Sequence, residues 1–329
     1  MPDRPLVFVT RALPGDALGR LAQTAEVDIW PGDLPPSYDE LRRRCAEACG
    51  IISLLTDRID AELIDASPGL RVISNVAVGY DNIDLGAAFA RGIPVGHTPG
   101  ILTETTADLA FALLLAAARR ITEAARFVRE ARWKTWDPQL MLGHDVHGAT
   151  LGIVGFGQIG QALARRARGF DMRVLYAARR EPPAAARGFG QRVALDDLLR
   201  ASAFVSLHVP LTPETRRLIG ERELRLMRPS AILVNTARGA IVDQPALVRA
   251  LHEGWIAGAG LDVMEEEPLP PSDALLTAPN VVLLPHIGSA SHATRAYMAS
   301  LAVDNCIAGL RGEPLPHQVS GSAFAADAS

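Results

Sequence analysis

Three polar side chains, Arg238, Glu267 and His286, each come after a short apolar run that is typical of a buried β-strand. A guanidinium group can hold a carboxylate or a keto oxygen through two parallel hydrogen bonds. Histidine is the usual proton donor in carbonyl reduction, and a neighbouring carboxylate stabilises its imidazolium form. With the glycine-rich turn described next, these residues predict hydride and proton transfer on a small 2-oxo or 2-hydroxy acid.

Each of the three also has a simpler interpretation when it is taken alone. An arginine most often makes a surface ion pair, and a single histidine is more often structural than catalytic. Glu267 is the last of three consecutive glutamates before Pro268, a pattern that is typical of a solvated loop.

A glycine-rich turn precedes these residues, with the sequence Gly155-Phe156-Gly157-Gln158-Ile159-Gly160. It follows an apolar run and opens a helical stretch, which is the context of a dinucleotide-binding turn. Gly155 permits the tight turn, Gly157 lets the backbone approach a pyrophosphate, and Gly160 lets the helix pack close to the strand. The first amides of the helix, those of Gln158 and Ile159, would face the phosphates.

The end of the next predicted strand distinguishes between the two nicotinamide cofactors. An enzyme that uses NAD carries an acidic residue roughly 20 residues beyond the glycines. Here the strand ends in Tyr176-Ala177-Ala178-Arg179-Arg180, and the first acidic residue is Glu181. Because guanidinium groups suit a 2′-phosphate, the sequence favours NADP(H), with NAD(H) as a possible cofactor. The alternative is that one or both arginines are only solvated loop residues.

Composition limits the class of protein. At 329 residues the chain exceeds one ordinary hydrophobic core and predicts two domains. Its 33 basic and 37 acidic residues give a formal charge of -4, which disfavours a nucleic-acid groove or a membrane-surface patch. Cys45 and Cys49 are predicted on one helix, and with Cys306 they are interpreted as buried thiols rather than metal ligands. Without a signal-peptide pattern or an apolar run of membrane-spanning length, we expect a cytoplasmic protein.

Apolar runs that predict β-strands lie at 6–10, 50–55, 71–76, 150–155, 172–176, 203–208, 231–236, 257–263 and 281–285. Helical stretches such as 38–48 separate most of them, and this alternation predicts parallel sheets covered on both faces. The apolar stretch 103–121 predicts a buried connecting helix, and 290–310 predicts another helix. The small polar tail 320–329 predicts a disordered end.

Six segments, in this order, resemble the D-isomer-specific 2-hydroxyacid dehydrogenases. They are Asn75-Val76-Ala77-Val78-Gly79-Tyr80-Asp81-Asn82-Ile83-Asp84, the glycine turn, His208-Val209-Pro210-Leu211-Thr212, Thr236-Ala237-Arg238-Gly239, Gly260-Leu261-Asp262-Val263 with Glu267-Pro268, and Pro285-His286-Ile287-Gly288. The resemblance covers essentially the whole chain and implies an α/β fold with two doubly wound parallel-sheet domains. A flavodoxin-like substrate domain, residues 1–100 and 289–329, would carry an inserted Rossmann nucleotide-binding domain, residues 101–288.

The resemblance also implies roles for individual residues. Arg238 would bind substrate, and Glu267 would pair with His286, the general acid and base. The backbone amides of Val78 and Gly79 would bind the substrate carboxylate. The remaining cofactor contacts would come from His208, Pro210, Thr212, Ala237, Asp262 and Gly288. Glu267 is selected among the three glutamates because it lies five residues after Asp262, the spacing found in the family.

Within the family the chain is most similar to the glyoxylate/hydroxypyruvate reductases. The arginines after the second strand and the segment Trp133-Lys134-Thr135-Trp136 carry this similarity. In such reductases the second tryptophan reaches the active site of the partner subunit, so Trp136 is predicted to contact substrate across a homodimer. Packing within the dimer interface is the alternative for Trp136, because tryptophan often anchors interfaces.

The leading hypothesis is therefore an NADP(H)-dependent reductase of glyoxylate, hydroxypyruvate or a similar 2-oxo acid. The enzymatic alternative is another D-2-hydroxyacid, phosphoglycerate or phosphonate dehydrogenase that uses NAD, with Arg58 and Arg71 as the only nearby cations for a phosphate. Formate oxidation is disfavoured because that branch carries Gln where Glu267 stands. A nucleotide-sensing corepressor-like protein is the non-enzymatic alternative, since such proteins retain the same three residues.

Overall fold

The structure is a computed structural model that describes residues 4–320. It divides into two compact units, one formed by the residues up to 102 together with those from 289 onward, the other by residues 103–288. All but the first residue of the tail 320–329 lie outside the described residues.

The first unit is built on a parallel sheet of five strands in the order β2-β1-β3-β4-β5. The strands are β1 (Leu6–Val9), β2 (Glu26–Ile29), β3 (Gly50–Ser53), β4 (Val72–Asn75) and β5 (Val95–Gly96). The helices are α1 (Ala17–Thr24), α2 (Tyr38–Glu47), α3 (Ala61–Asp65), α4 (Leu85–Ala90) and α11 (His292–Leu310). Separate apolar clusters cover the two faces of the sheet; Val7 and Val9 belong to one and Phe8 to the other.

The second unit holds a parallel sheet of seven strands in the order β12-β11-β10-β9-β6-β7-β8. The strands are β6 (Thr150–Val154), β7 (Arg173–Ala177), β8 (Gln191–Arg192), β9 (Phe204–Leu207), β10 (Ile232–Asn235), β11 (Gly258–Leu261) and β12 (Val281–Leu283). The helices are α5 (Thr103–Ala118), α6 (Ile121–Arg129), α7 (Gln158–Ala167), α8 (Leu195–Ala201), α9 (Glu221–Leu226) and α10 (Gln244–His252).

Both faces of the central part of the seven-stranded sheet are buried, which is why strands such as β10 carry apolar residues at successive positions rather than in alternation. In β10, Ile232 and Val234 pack into one core cluster, while Leu233 packs into the other. Successive side chains of a strand point to opposite faces, so a strand with helices on both sides needs apolar residues at every position. The predicted fold class, two doubly wound parallel-sheet domains, is confirmed.

The long connecting helix predicted at 103–121 is wrong in its C-terminal part. Helix α5 ends at Ala118, Arg120 adopts a left-handed conformation with φ 52°, and α6 then starts at Ile121. A left-handed residue cannot continue a right-handed helix, so the chain turns there. The placement of Cys49 on a helix with Cys45 is also wrong, because α2 ends at Glu47; Cys45 is buried and Cys49 only partly so. Between residues 4 and 320, none of the helices combines the length and apolarity needed to cross a membrane.

Candidate active site

The glycine turn joins β6 to α7 and is shaped by two close backbone contacts. Gly155 has a φ of 92°, and a Cβ atom there would lie 2.5 Å from the carbonyl oxygen of His208. A Cβ atom on Gly160 would lie 2.3 Å from the carbonyl oxygen of Gly155. A Cβ atom on Gly157, in contrast, would meet nothing within 4 Å. Gly155 and Gly160 are therefore required by packing, whereas Gly157 leaves open space beside the turn.

This turn lies where a dinucleotide binds in a doubly wound sheet. Strand β6 has β7 on one side and β9 on the other, so the order of the strands reverses at its carboxyl end. Ligands of such sheets bind at that reversal, with the pyrophosphate against the N-terminus of the following helix. Gly157 is the N-cap of α7 and has no side chain to occupy the approach. The residues present therefore fit a nicotinamide dinucleotide.

The loop after β7 carries the two arginines that were assigned to a 2′-phosphate. Arg179 and Arg180 are both exposed. The loop is held by Arg192, whose Nη2 donates to the carbonyl oxygens of Ala178 at 2.7 Å and Arg179 at 3.1 Å. Nη1 of Arg192 also pairs with the Glu181 carboxylate. Sequence reasoning missed Arg192, because it lies on a two-residue strand whose register with Tyr176 no motif reveals.

The loop after β9 contributes His208, Pro210 and Thr212 beside the glycine turn. The Nε2 atom of His208 is hydrogen-bonded to the hydroxyl of Ser206 at 2.8 Å, and burial lowers the pKa of His208 to about 4. The hydroxyl of Thr212 donates to the Glu214 carboxylate at 2.7 Å. The carbonyl oxygen of Pro210 accepts from Thr215 at 2.6 Å. These side-chain contacts fix the shape of a loop at the reversal of strand order.

Arg238 follows β10 in a turn that Asn235 organises. The Asn235 side chain accepts from the amide of Ala237 at 3.0 Å and donates to the carbonyl oxygen of Arg238 at 2.9 Å. A Cβ atom on Gly239 would lie 1.8 Å from the backbone of Met264. Only glycine therefore lets the turn that carries Arg238 approach the loop that follows β11.

Glu267 and His286 form a direct pair. Oε2 of Glu267 lies 2.7 Å from Nδ1 of His286, and the two side chains are 26% and 23% exposed. Oε1 of Glu267 accepts from the amide of Met264 at 2.9 Å, and the peptide bond from Glu267 to Pro268 is cis. Burial alone would raise the pKa of Glu267. Three groups outweigh this effect of burial: His286, through its hydrogen bond and its charge, the amide of Met264, and the charge of Arg238. The pKa of Glu267 is therefore lowered, and its carboxylate stays ionised.

Asp262 holds the backbone that carries His286. Its two carboxylate oxygens accept from the amides of Ile287 and Gly288, each at 2.7 Å, and its carbonyl oxygen accepts from the amide of His286 at 2.9 Å. Thr106 on α5 donates to the carbonyl oxygen of Gly288 at 3.1 Å. His286 itself has a φ of 55°, in the left-handed region. These hydrogen bonds hold the imidazole-bearing residue in a backbone conformation that non-glycine residues seldom adopt.

Arg238, Glu267, His286 and the glycine turn all lie in the second unit, where the charge of Arg238 acts on Glu267. Val78 and Gly79 belong to the first unit, in the turn after β4, where the side-chain nitrogen of Asn75 donates to the carbonyl oxygen of Gly79 at 3.0 Å. Trp136 lies in the segment after α6 and is 76% exposed. Among residues 4–320, no cluster of three or more His, Cys, Asp or Glu side chains could hold a metal ion.

Comparisons with known proteins identify the family of the chain. The family model described as "D-isomer specific 2-hydroxyacid dehydrogenase, NAD binding domain" matches residues 111–288. A glyoxylate reductase of Korarchaeum cryptofilum is 56% identical over 320 residues, which are 96% of each chain.

Two solved structures resemble the chain over nearly its whole length. A protein from Thermus thermophilus superposes with a TM-score of 0.90 at 51% identity, covering 96% of this chain and 100% of that one. An NADPH-dependent glyoxylate/hydroxypyruvate reductase from Sinorhizobium meliloti, in complex with NADP and malonate, has a TM-score of 0.85 at 34% identity and 97% coverage of both chains. The chain belongs to the D-isomer-specific 2-hydroxyacid dehydrogenases and is an NAD(P)-dependent enzyme of that family.

Proposed function

We propose that this enzyme is an NADP(H)-dependent reductase of small 2-oxo acids such as glyoxylate and hydroxypyruvate, with D-2-hydroxy acids as products where these are chiral. The observation that carries the proposal is the 2.7 Å pair of Glu267 and His286, held beside Arg238 in the domain that contains the glycine turn. The similarity to glyoxylate reductases along 96% of the chain supports the substrate class.

His286 is the proposed general acid for reduction. Because Nδ1 of His286 is bonded to Glu267, Nε2 remains to give a proton to the carbonyl oxygen of the substrate. The ionised carboxylate of Glu267 is hydrogen-bonded to Nδ1 and orients the ring for the transfer. Arg238 would polarise the same carbonyl group and hold the adjacent carboxylate. The nicotinamide supplies the hydride when it is bound.

The substrate carboxylate is assigned to the backbone amides of Val78 and Gly79 in the first unit. Peptide N–H groups with no competing side chain nearby can bind a carboxylate without adding a charge of their own. The first unit, formed by the residues up to 102 and those from 289 onward, is therefore proposed as the substrate domain, and the second unit, residues 103–288, as the nucleotide-binding domain.

The cofactor assignment rests on the shape of the second unit. Gly155, Gly157, Gln158, Ile159 and Gly160 would bind the pyrophosphate. The loop residues His208, Pro210, Thr212, Ala237, Asp262 and Gly288 would line the rest of the nucleotide. Arg179 and Arg180, exposed on a loop that Arg192 holds, would bind the 2′-phosphate of NADP. The related reductase from Sinorhizobium meliloti, whose structure contains NADP, supports this preference.

A homodimer is the proposed assembly. The second unit exposes six large apolar side chains along α6 and the segment after it: Ile121, Val128, Trp133, Trp136, Leu140 and Leu142. Every residue of α6 is at least partly exposed. Large apolar side chains exposed in such number along one segment mark a protein interface, and a second copy of the chain is the proposed partner. Trp136 would contact substrate in the partner subunit.

Turnover by the purified protein tests the proposed function. NADPH or NADH is supplied with glyoxylate, hydroxypyruvate, pyruvate, 3-phosphohydroxypyruvate and larger 2-oxo acids, and the oxidation of the nucleotide is followed by its absorbance. We expect the highest kcat/KM with NADPH and glyoxylate or hydroxypyruvate. A preference for NADH would refute the cofactor assignment, and a preference for the phosphorylated acid would favour a phosphoglycerate dehydrogenase. No oxidation with any acid would refute the enzymatic proposal.

A further inference from the structure

Two consecutive backbone amides in the first unit have no hydrogen-bond acceptor among the described residues. Among the contacts of residues 4–320, the amides of Val78 and Gly79 donate to neither a backbone nor a side-chain oxygen. Both residues are partly exposed, in the turn that follows β4. Adjacent N–H groups without a protein acceptor are available to bind an anion.

Each of these amides shares a peptide group with the carbonyl of the preceding residue, Ala77 or Val78, and both carbonyl oxygens accept a hydrogen bond. The amide of Thr98 donates to the carbonyl oxygen of Ala77 at 2.8 Å. The Nδ1 atom of His97 lies 2.9 Å from the carbonyl oxygen of Val78. In a trans peptide the C=O and N–H bonds point in opposite directions. The Val78 and Gly79 amides therefore point away from residues 97 and 98, and their directions are set by those two hydrogen bonds.

The donor to the Val78 carbonyl oxygen is the side chain of His97, a residue held by hydrogen bonds of its backbone and by a contact of its ring. The backbone amide of His97 donates to the carbonyl oxygen of His317 at 3.0 Å, and its carbonyl oxygen accepts from the buried side chain of Asn305 at 3.0 Å. The ring meets Tyr80 edge to face, with 5.8 Å between the centroids. Because a carbonyl oxygen only accepts, Nδ1 carries the proton. Burial lowers the pKa of His97, so the ring is neutral near pH 7 and Nε2 remains an acceptor.

We propose that His97 is a positioning residue for the substrate carboxylate, which acts by orienting the peptide between Val78 and Gly79. The proposal rests on the proposed function, in which those two amides bind the carboxylate. A carbonyl oxygen that accepts a hydrogen bond also polarises its own peptide, so the Gly79 amide becomes a stronger donor. Without the His97 donor the peptide could rotate, and the Gly79 amide would no longer be held toward the anion.

Substitutions at His97 test whether the hydrogen-bond donor to the Val78 carbonyl oxygen is needed. The side-chain nitrogen of Asn can take the place of Nδ1, whereas Ala offers no donor. For His97→Ala we expect the KM for glyoxylate and the inhibition constant of oxalate to rise together, by roughly 5- to 30-fold. The kcat and the KM for NADPH should stay within about threefold of wild type. The Gly79 amide binds the substrate carboxylate equally in the ground state and in the transition state, so its loss affects binding rather than the chemical step. His97→Asn should recover most of the loss.

His317→Ala is the matched control, since it removes a neighbouring imidazole and leaves the His97 ring and the turn in place. We expect its constants to equal those of wild type. The proposal is overturned if His97→Ala leaves the glyoxylate KM and oxalate inhibition unchanged, or if it raises the KM for NADPH by the same factor. Equal losses in the Ala and Asn variants would also overturn it. If His97→Ala does not fold, His97→Leu replaces it as the donor-free variant.

Failure of the proposed function can be distinguished from failure of this inference. If the wild-type protein reduces no 2-oxo acid, the proposed function fails. Calorimetric titration of oxalate into the NADPH-loaded wild type and variants then still measures carboxylate binding. Weaker oxalate binding in His97→Ala, restored in His97→Asn, supports the positioning role without turnover. Identical binding by all four proteins overturns it.

Discussion

At the scale of single residues, the candidate active site depends on side chains that hold other groups in place. Glu267 orients His286, Asn235 shapes the turn of Arg238, and Asp262 binds the backbone beyond His286. The sequence predicted the residues that would meet substrate, because their types reveal their chemistry. It did not predict Arg192, because this arginine holds the loop largely through backbone carbonyl oxygens, which are present at every position of a chain.

Replacing His286 tests the proposed general acid. We expect His286→Ala to lower kcat by roughly 10²- to 10⁴-fold, because the carbonyl oxygen then takes its proton from water. The dissociation constant for NADPH, measured by fluorescence titration, should change little. His252→Ala is the matched control, since His252 is exposed at the end of α10. Unchanged turnover in His286→Ala would exclude the proposed role.

His208 makes the stability of the second unit depend on pH. Its pKa is about 4 in the folded protein because of burial, against an ordinary value near 6.5. The unfolded chain therefore binds more protons between these two values, so this stabilising contribution is complete above about pH 6.5 and is lost as pH falls toward 4.

Urea unfolding from neutral pH down to about pH 4.5 measures this effect. The free energy of unfolding of the wild type should fall by up to about 1.4 kcal/mol per pH unit more steeply than that of His208→Asn. Parallel pH profiles for the two proteins would contradict the assignment. His252→Ala should keep the wild-type slope, because it retains His208.

At the scale of elements, the central strands of both sheets were predictable, and three of the four edge strands were not. All nine strands predicted from apolar runs are present, with ends that differ by a few residues. Strands β2, β5 and β8 were missed. Two of them are only two residues long, and every residue of β2 is at least partly exposed, so none carries a continuous apolar signal. The break between α5 and α6 was missed because it depends on the φ of Arg120 rather than on hydrophobic periodicity.

Two glycines of the turn serve different purposes: Gly160 is required by packing within the protein, whereas Gly157 is proposed to leave room for the ligand. A methyl group on Gly157 meets no protein atom within 4 Å, whereas one on Gly160 would lie 2.3 Å from the Gly155 carbonyl oxygen. Gly157→Ala should therefore keep the free energy of unfolding within about 1 kcal/mol and weaken NADPH binding by at least roughly tenfold. Gly160→Ala should lower the free energy of unfolding by about 1–3 kcal/mol. Thermal unfolding and NADPH titration of both variants check this pair, and unaltered NADPH binding in Gly157→Ala would contradict it.

The loop after β7 should determine the choice of nucleotide. For Arg179→Ala combined with Arg180→Ala we expect the KM for NADPH to rise at least roughly tenfold and the KM for NADH to change little, because only NADPH carries the 2′-phosphate. Arg187→Ala, an exposed arginine of the same loop, is the matched control. Equal effects on the two nucleotides would argue against a phosphate clamp.

At the scale of the whole molecule, the role proposed for the exposed Trp136 would link catalysis to assembly. Trp136→Ala should increase the monomer fraction in sedimentation velocity or lower the discrimination between glyoxylate and larger 2-oxo acids. Trp255→Ala is a poor control, since Arg225 stacks on that ring at 3.6 Å. Trp133→Phe, which keeps an aromatic ring nearby, is the better one. If Trp136→Ala changes neither property, Trp136 has no part in the site.

The division of the chain into two units has a consequence for its synthesis. Helix α11 belongs to the first unit, where Met298, Ala302 and Cys306 lie in the same core as Val7 and Val72. The second unit, in contrast, is one continuous stretch, residues 103–288. On the ribosome the middle of the polypeptide can fold as soon as it emerges, while the earlier N-terminal strands still lack their covering helix. The first unit is therefore completed only after the second has been made, and one face of its apolar strands lacks part of its cover until α11 is added.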